Sequence, residues 1–257
     1  MWLRLRQIAI VVAELEPVVE DLRRILGIEV CHRDLGVGKY GLENVLMPVG
    51  NQLLEVVAPT EPGTAGGRYL ERRGGDGGYM VITQCDDHAP RRTRVASLGI
   101  RLVNQSDRDE FRNMQMHPKD TGGSFFEIDE QLGARAHDAD GPWDPAGGAG
   151  WTAARRTERV GDIVAAEVQC DDPAPVAARW AAIAECRLES RGESTYELAL
   201  DNATIRFVAC TDGRPEGLGG IDVVTNDRDA IVTAARSQGL PVDDGTVLIG
   251  GLRIRLV

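Results

Sequence analysis

The stretch Asn51-Gln-Leu-Leu-Glu-Val-Val57 decides how the rest of the chain is read. It is an apolar, strand-like run with one carboxylate, Glu55, in its middle. An anion there needs a partner, a proton or an opening to water, because burying it alone is costly. Gly122-Gly-Ser-Phe-Phe-Glu-Ile128 is a second run of the same kind, with Glu127 in the corresponding place. Two such strands point to a duplicated unit whose inner faces meet across a cavity. The plainer alternative puts each glutamate at a solvated strand edge.

Reading outward from Glu55, Leu5 to Val12 has the composition of a strand. Leu15, Val18, Val19, Leu22, Ile25 and Leu26 then fall at helical spacing, and Gly27 is a natural stop. Ile28 to Cys31, Leu42 to Val49 and Gln52 to Val57 supply three strand candidates. After the Pro- and Gly-rich Pro59 to Gly67 and a short helix at Tyr69 to Arg73, the same order returns. Tyr79 to Thr83 is a strand and Ala89 to Leu98 a helix ended by Gly99. Ile100 to Val103, Asn113 to His117 and Ser124 to Ile128 are its three closing strands. Gln7 and Glu55 lie 48 residues apart and Met80 and Glu127 lie 47 apart, so the glutamates occupy equivalent places in two copies of one unit.

Residues 131–159 are polar and irregular and read as a linker, although Trp143 and Trp151 are unusual in a free one and can tack it to a domain or cover a cavity. The pattern restarts after it. Asp162 to Val168 is a strand followed by Gln169-Cys-Asp-Asp172, a repeat of Gln84-Cys-Asp-Asp87, whose aspartates suit helix N-caps. A helix at Ala174 to Ala184 and strands at Leu188 to Glu189, Thr195 to Leu200 and Thr204 to Ala209 complete a third unit. A fourth has a strand at Ile221 to Thr225, a helix at Asp229 to Gln238, and closing strands at Val247 to Ile249 and Arg253 to Val257. The expected architecture is therefore α+β, with four strand-helix-three-strand modules in two pairs: residues 1–130, and a divergent, shortened pair at 160–257. In the later pair the glutamate positions correspond to Arg206 and Arg255, so the acidic face belongs to the first half alone.

Composition narrows the function. The chain has 257 residues, a formal charge of -11 and no continuous apolar run long enough for a membrane helix. The charge disfavours nucleic acid or an anionic membrane as a general partner, yet leaves room for a small anionic ligand held by a local cation. The five cysteines lack metal-ligand spacing and read as free thiols. Met1 to Val12 mixes basic and apolar residues but leads into an acidic helix without a small-residue cleavage site, so the expected location is cytoplasmic.

The candidate site residues follow from the duplication. Glu55 and Glu127 are the candidate acid and base, and Gln7 can fix a developing oxyanion through its amide. Met80 is a lining candidate. His117 and Lys119, in His117-Pro-Lys-Asp-Thr-Gly-Gly123, are candidates for proton exchange and for holding a substrate anion, though an exposed loop explains both as well. Two carboxylates with Gln7 can also hold a divalent metal, but the Met80 thioether suits hard ions poorly, which favours a metal-free pocket.

The modules, together with Leu26-Gly-Ile28, Glu55-Val-Val-Ala-Pro59, Gly77-Gly-Tyr-Met-Val-Ile82 and Met116-His-Pro-Lys-Asp-Thr-Gly-Gly-Ser-Phe-Phe-Glu127, resemble the glyoxalase and bleomycin-resistance, or vicinal-oxygen-chelate, superfamily. Residues 3–129 are most similar to methylmalonyl-CoA epimerases and glyoxalase-like proteins. The resemblance implies tandem vicinal-oxygen-chelate-like domains and a small organic acid or acyl thioester as ligand. The activity it implies is that of an isomerase or lyase working alpha to a carbonyl. It also implies a divalent metal held by positions that fall on Gln7, Glu55, Met80 and Glu127, where His is usual at the first and third. A non-catalytic binding or sequestration protein stands as the alternative. A homodimer is compatible with either.

Overall fold

The computed structural model describes all residues, 1–257. In the first half, β1 (Leu3–Val11) leads into α1 (Leu15–Leu26), whose buried residues are the six predicted from the helical spacing. Gly27 ends it in the left-handed region at φ 72°, its N–H donating to the Arg23 carbonyl, a conformation cheap only for glycine. There follow β2 (Leu42–Val49), β3 (Gln52–Pro59), α2 (Ala65–Arg73), β4 (Gly77–Cys85), α3 (His88–Ser97), β5 (Leu102–Arg108), β6 (Phe111–Met116), α4 (Pro118–Thr121) and β7 (Phe125–Gln131). They form one seven-stranded sheet in the order β2-β3-β1-β4-β7-β6-β5. β1 pairs parallel with β3, β4 parallel with β7, and β1 meets β4 antiparallel in the middle. The two modules are thus related by a local twofold between β1 and β4.

One expected strand is absent. Residues 28–31 form no strand; the chain meets β2 only around the isolated bridge of His32 with Leu46, where the Cys31 N–H donates to the Leu46 carbonyl, before it leaves the sheet. Asp34 causes the exit: its carboxylate accepts from the Gly36 N–H at 2.7 Å and starts a 3-10 turn over Leu35–Tyr40, while its own N–H donates to Asn44 Oδ1. That turn stands at the edge of the sheet's polar face.

The second half repeats the plan with β8 (Val160–Cys170), α5 (Pro173–Ala184), β9 (Leu188–Ser190), β10 (Tyr196–Ala199), β11 (Thr204–Ala209), β12 (Gly217–Thr225), α6 (Arg228–Ser237), β13 (Val242–Asp243), β14 (Thr246–Ile249) and β15 (Leu252–Leu256). Its eight strands run β13-β14-β15-β12-β8-β11-β10-β9, with β8 parallel to β11 and β12 parallel to β15. As predicted, Asp87 and Asp172 cap α3 and α5 through the N–H groups of Ala89 and Ala174.

Strand alternation sorts the side chains between two regions. Ile8 and Ile10 of β1, Leu54 and Val56 of β3, and Phe126 and Ile128 of β7 join a continuous core that also takes Ala166, Val168, Ile205 and Ile221 from the second sheet and residues of α1, α3, α5 and α6. The two sheets therefore share one core on their helix-bearing faces. The intervening residues of β1, β3, β4 and β7 are left facing the opposite way. There Ala9, Val11, Leu53, Met80 and Ile82 cluster with Trp143 and Trp151 from the segment between the sheets.

Candidate functional site

Residues 131–159 lie along the polar face of the first sheet. Arg6 holds this segment: its guanidinium is buried between the rings of Trp143 and Trp151 and donates to the carbonyls of Asn51, Ala139 and Gly141. Burial first, and the neighbouring Arg4 charge second, lower its pKa to about 9. Arg4 adds donors to the carbonyls of His137 and Asp138. The Trp151 indole closes the segment on itself by donating to Gly141 O.

The covered face encloses a cavity of about 390 Å³ between the 3-10 turn at 35–40, β5 and the docked segment. Glu55 and Glu127 both line its floor, with Gln7 and Met80 beside them. Glu55 is buried, accepting from Gln7 Nε2 at 2.8 Å and from Asn44 Nδ2 at 2.6 Å. Gln7 is itself held from behind, since Trp143 Nε1 donates to its Oε1 at 2.9 Å. Burial pushes the Glu55 carboxyl up, and the two amide donors work against that shift.

Glu127 is the pseudosymmetric mate. Asn113 on β6 donates to it at 2.7 Å, as Asn44 on β2 does to Glu55, and the same amide reaches Asp129 Oδ1 at 3.0 Å. Glu127 and Asp129 stand two residues apart on one face of β7, both buried. Burial raises Glu127 to about 7, with the charge of Glu55 adding to the rise, and raises Asp129 well above the usual carboxylate range. The charge of Glu127 adds to the rise of Asp129, so the two buried carboxyls resist being ionised together. The two halves of the site are equivalent in backbone and unequal in their carboxyls, since Glu127 has a second acid beside it and Glu55 has two amides.

Of the residues singled out in the sequence, Gln7, Glu55, Met80 and Glu127 come together here. His117 and Lys119 do not line the cavity. His117 Nδ1 accepts from the Lys119 N–H as the cap of α4, and Lys119 is exposed on that short helix. The cation at the cavity mouth is Lys39, whose ammonium lies 4.8 Å above the Tyr40 ring. Across the mouth, Arg108 of β5 pairs with Asp144 of the docked segment at 2.5 Å. Asn44, Asn113, Asp129 and Trp143 were missed. The first two carried a signal: each sits on the strand before its glutamate strand, at matching places of the duplicated unit.

The donor set does not fit a divalent metal. Gln7 Oε1, the atom a metal would need, accepts from Trp143, and both Glu55 oxygens hold amide donors. Met80 Sδ stands 3.5 Å from Gln115 Nε2 and is soft, where carboxylates select hard ions. No three His, Cys, Asp or Glu side chains are arranged to hold a metal ion.

In the second half the corresponding face is filled by ion pairs. Arg206 makes a bidentate pair with Asp222 at 2.6 and 2.8 Å and reaches Glu167 at 3.3 Å. Arg253 pairs with Glu167 at 2.7 Å, and Arg255 with Asp222.

No protein-family model matches the chain, and no curated protein matches it. Among solved structures, a hypothetical protein from Staphylococcus aureus aligns over 100% of this chain and 100% of its own, with a TM-score of 0.65 and 11% identity. Methylmalonyl-CoA epimerase from Mycobacterium tuberculosis covers 50% of this chain and 88% of its own, with 25% identity and a TM-score of 0.44. A Streptomyces coelicolor methylmalonyl-CoA epimerase in complex with 2-nitronate-propionyl-CoA covers 51% and 98%, with 22% identity and a TM-score of 0.45. The full-length likeness is one of fold. The chain has an α+β fold of repeated strand-helix-strand modules in two sheets, shared over its full length with the staphylococcal protein.

Proposed function

We propose that the cavity binds a small organic acid or acyl thioester and moves the proton alpha to its carbonyl, as an isomerase or lyase does. The observation that carries this reading is the unequal pair: two carboxyls from equivalent strands, in one cavity, one held by two amides and the other beside a second buried acid, Asp129. Glu55 is the base. Its amide donors favour the ionised form that takes a proton from carbon. Glu127, raised to about 7 chiefly by burial, is the acid that donates to the carbonyl oxygen as charge develops there. The enolate then regains a proton, at the same face or the opposite one, or expels a leaving group from the next carbon.

Gln7 spends its amide on Trp143 and Glu55, so its part is to position the base. Lys39 at the mouth suits an anionic group on the ligand's outer end. The second reading, a non-catalytic binding protein, draws on the occupation of both Glu55 oxygens by amides.

Deuterium exchange distinguishes the two. The protein is incubated in D2O with methylmalonyl-CoA, the compound named for the epimerases above, and with simpler 2-methylacyl thioesters, and label at the alpha carbon is followed by NMR. Exchange that falls about 100-fold or more in both Glu55→Gln and Glu127→Gln supports proton transfer. Saturable binding without exchange leaves the binding protein.

A further inference from the structure

The floor of the cavity has more acceptors than donors. The side-chain partners of Glu55, Glu127 and Asp129 are amides, and no Arg, Lys or His side chain reaches any of the three. The Asn113 side chain, which lines the cavity and is 6% exposed, spends its Nδ2 on the two β7 carboxyls and leaves Oδ1 without a partner. Asp129 Oδ2 likewise has no partner. Buried acceptors of this kind are satisfied by a ligand made of donors, or by protons.

We infer that the floor of this cavity is a receptor for a primary ammonium group, taken up by Asn113 Oδ1 together with the carboxyl of Glu127. The two groups stand side by side on the paired strands β6 and β7, and the bond to the carboxylate is charge-assisted. The same face carries Leu46, Met80, Ile82 and Phe111, apolar surface on which a short carbon stem can lie. With Lys39 at the mouth, the ligand class becomes an amine with an anionic or polar far end, such as a short amino acid or an aminoacyl thioester. The inference concerns recognition and goes beyond the reaction proposed above, whether or not a proton is then moved from carbon.

The test is calorimetric titration of the full chain with n-butylammonium, 1-butanol and butyrate in an amine-free buffer at pH 8. The expected result is binding of butylammonium at least about tenfold tighter than the isosteric alcohol, since the charged group alone differs between them. Losses of about tenfold in Glu127→Gln and Asn113→Leu complete the expectation. Equal binding of the alcohol or butyrate overturns the inference. So does an absence of ammonium binding, or stoichiometric uptake of Mg2+ or Mn2+ that excludes the amine. Should a variant fail to fold, the ammonium-to-alcohol ratio of the unaltered protein decides. Ammonium selectivity without alpha-carbon exchange removes the proposed reaction and keeps this site; exchange without selectivity does the reverse.

Discussion

Trp143 donates its indole N–H to Gln7 Oε1 at 2.9 Å, and through that one bond the segment between the two sheets sets the orientation of an amide on the central strand. With its oxygen held, Gln7 can present only N–H groups to the floor, and one of them is bound to Glu55. Trp143→Phe keeps most of the buried ring and removes the donor. Gln7 Oε1 is then buried without a partner, which costs about 1–3 kcal/mol of stability in denaturant unfolding. The amide is also free to turn its oxygen toward Glu55, so alpha-proton exchange falls while the sheet stays intact by circular dichroism. Unchanged exchange in a destabilised variant would confine Trp143 to packing.

Asn44 holds the other Glu55 oxygen, and its loss has a defined direction. A donor to the ionised form lowers a carboxyl pKa, so Asn44→Ala raises Glu55 further. If Glu55 is the base, the acid limb of the pH–rate profile moves to higher pH. Asn113→Ala acts on Glu127 and Asp129 and leaves that limb where it was. The pair of profiles assigns the limb to one glutamate; a shift of the acid limb in Asn113→Ala alone would exchange their roles.

The raised carboxyls also fix the sign of a stability change with pH. Glu127 moves from 4.5 to about 7 on folding, chiefly through burial, with the charge of Glu55 adding to it. Between those values the folded chain binds more protons than the unfolded one, so stability is fully present below about pH 4.5 and declines as pH rises through about 7. The decline is on the order of 3 kcal/mol for this group. Glu127→Gln flattens it, which thermal unfolding at a series of pH values measures. A variant that declines as steeply as the original places the proton elsewhere.

Much of the fold was legible because burial writes itself into spacing. The helix over residues 15–26 was recovered to the residue, since each of its apolar positions is buried. Glu55 and Glu127 stood out as charges in apolar strands, and duplication put them on one face. The missed residues were hidden for physical reasons. The strand expected at 28–31 has apolar residues, but the Asp34 turn and the Asn44 bond draw the chain off the sheet. Asp129 reads as an ordinary acid just past the end of an apolar run, and only strand alternation beside Glu127 makes it a partner. Trp143 lies 136 residues from Gln7, and no local pattern links them. His117 and Lys119 drew notice by type alone, and their chemistry is spent on a helix cap and on solvent.

The second half offers a contrast that can be tested on its own. Its polar face has the same backbone, yet each charge there has an opposite charge beside it. Asp222 receives a bidentate bond from Arg206 and a further bond from Arg255, and its side chain is 6% exposed against 13% for Arg206. Asp222→Asn removes the one anion shared by two guanidiniums and leaves Arg206 half-buried with Glu167 at 3.3 Å as its remaining partner. Breaking such a pair costs about 2–4 kcal/mol, because the surviving charge stays desolvated. Asp222→Asn combined with Arg206→Met removes both charges and recovers most of that loss. Neither variant alters ligand binding or proton exchange at the first sheet, since the groups on that floor are held by amides of their own half and by Trp143. A loss of binding in the double variant, with stability restored, would show that the second sheet's polar face takes part in the site.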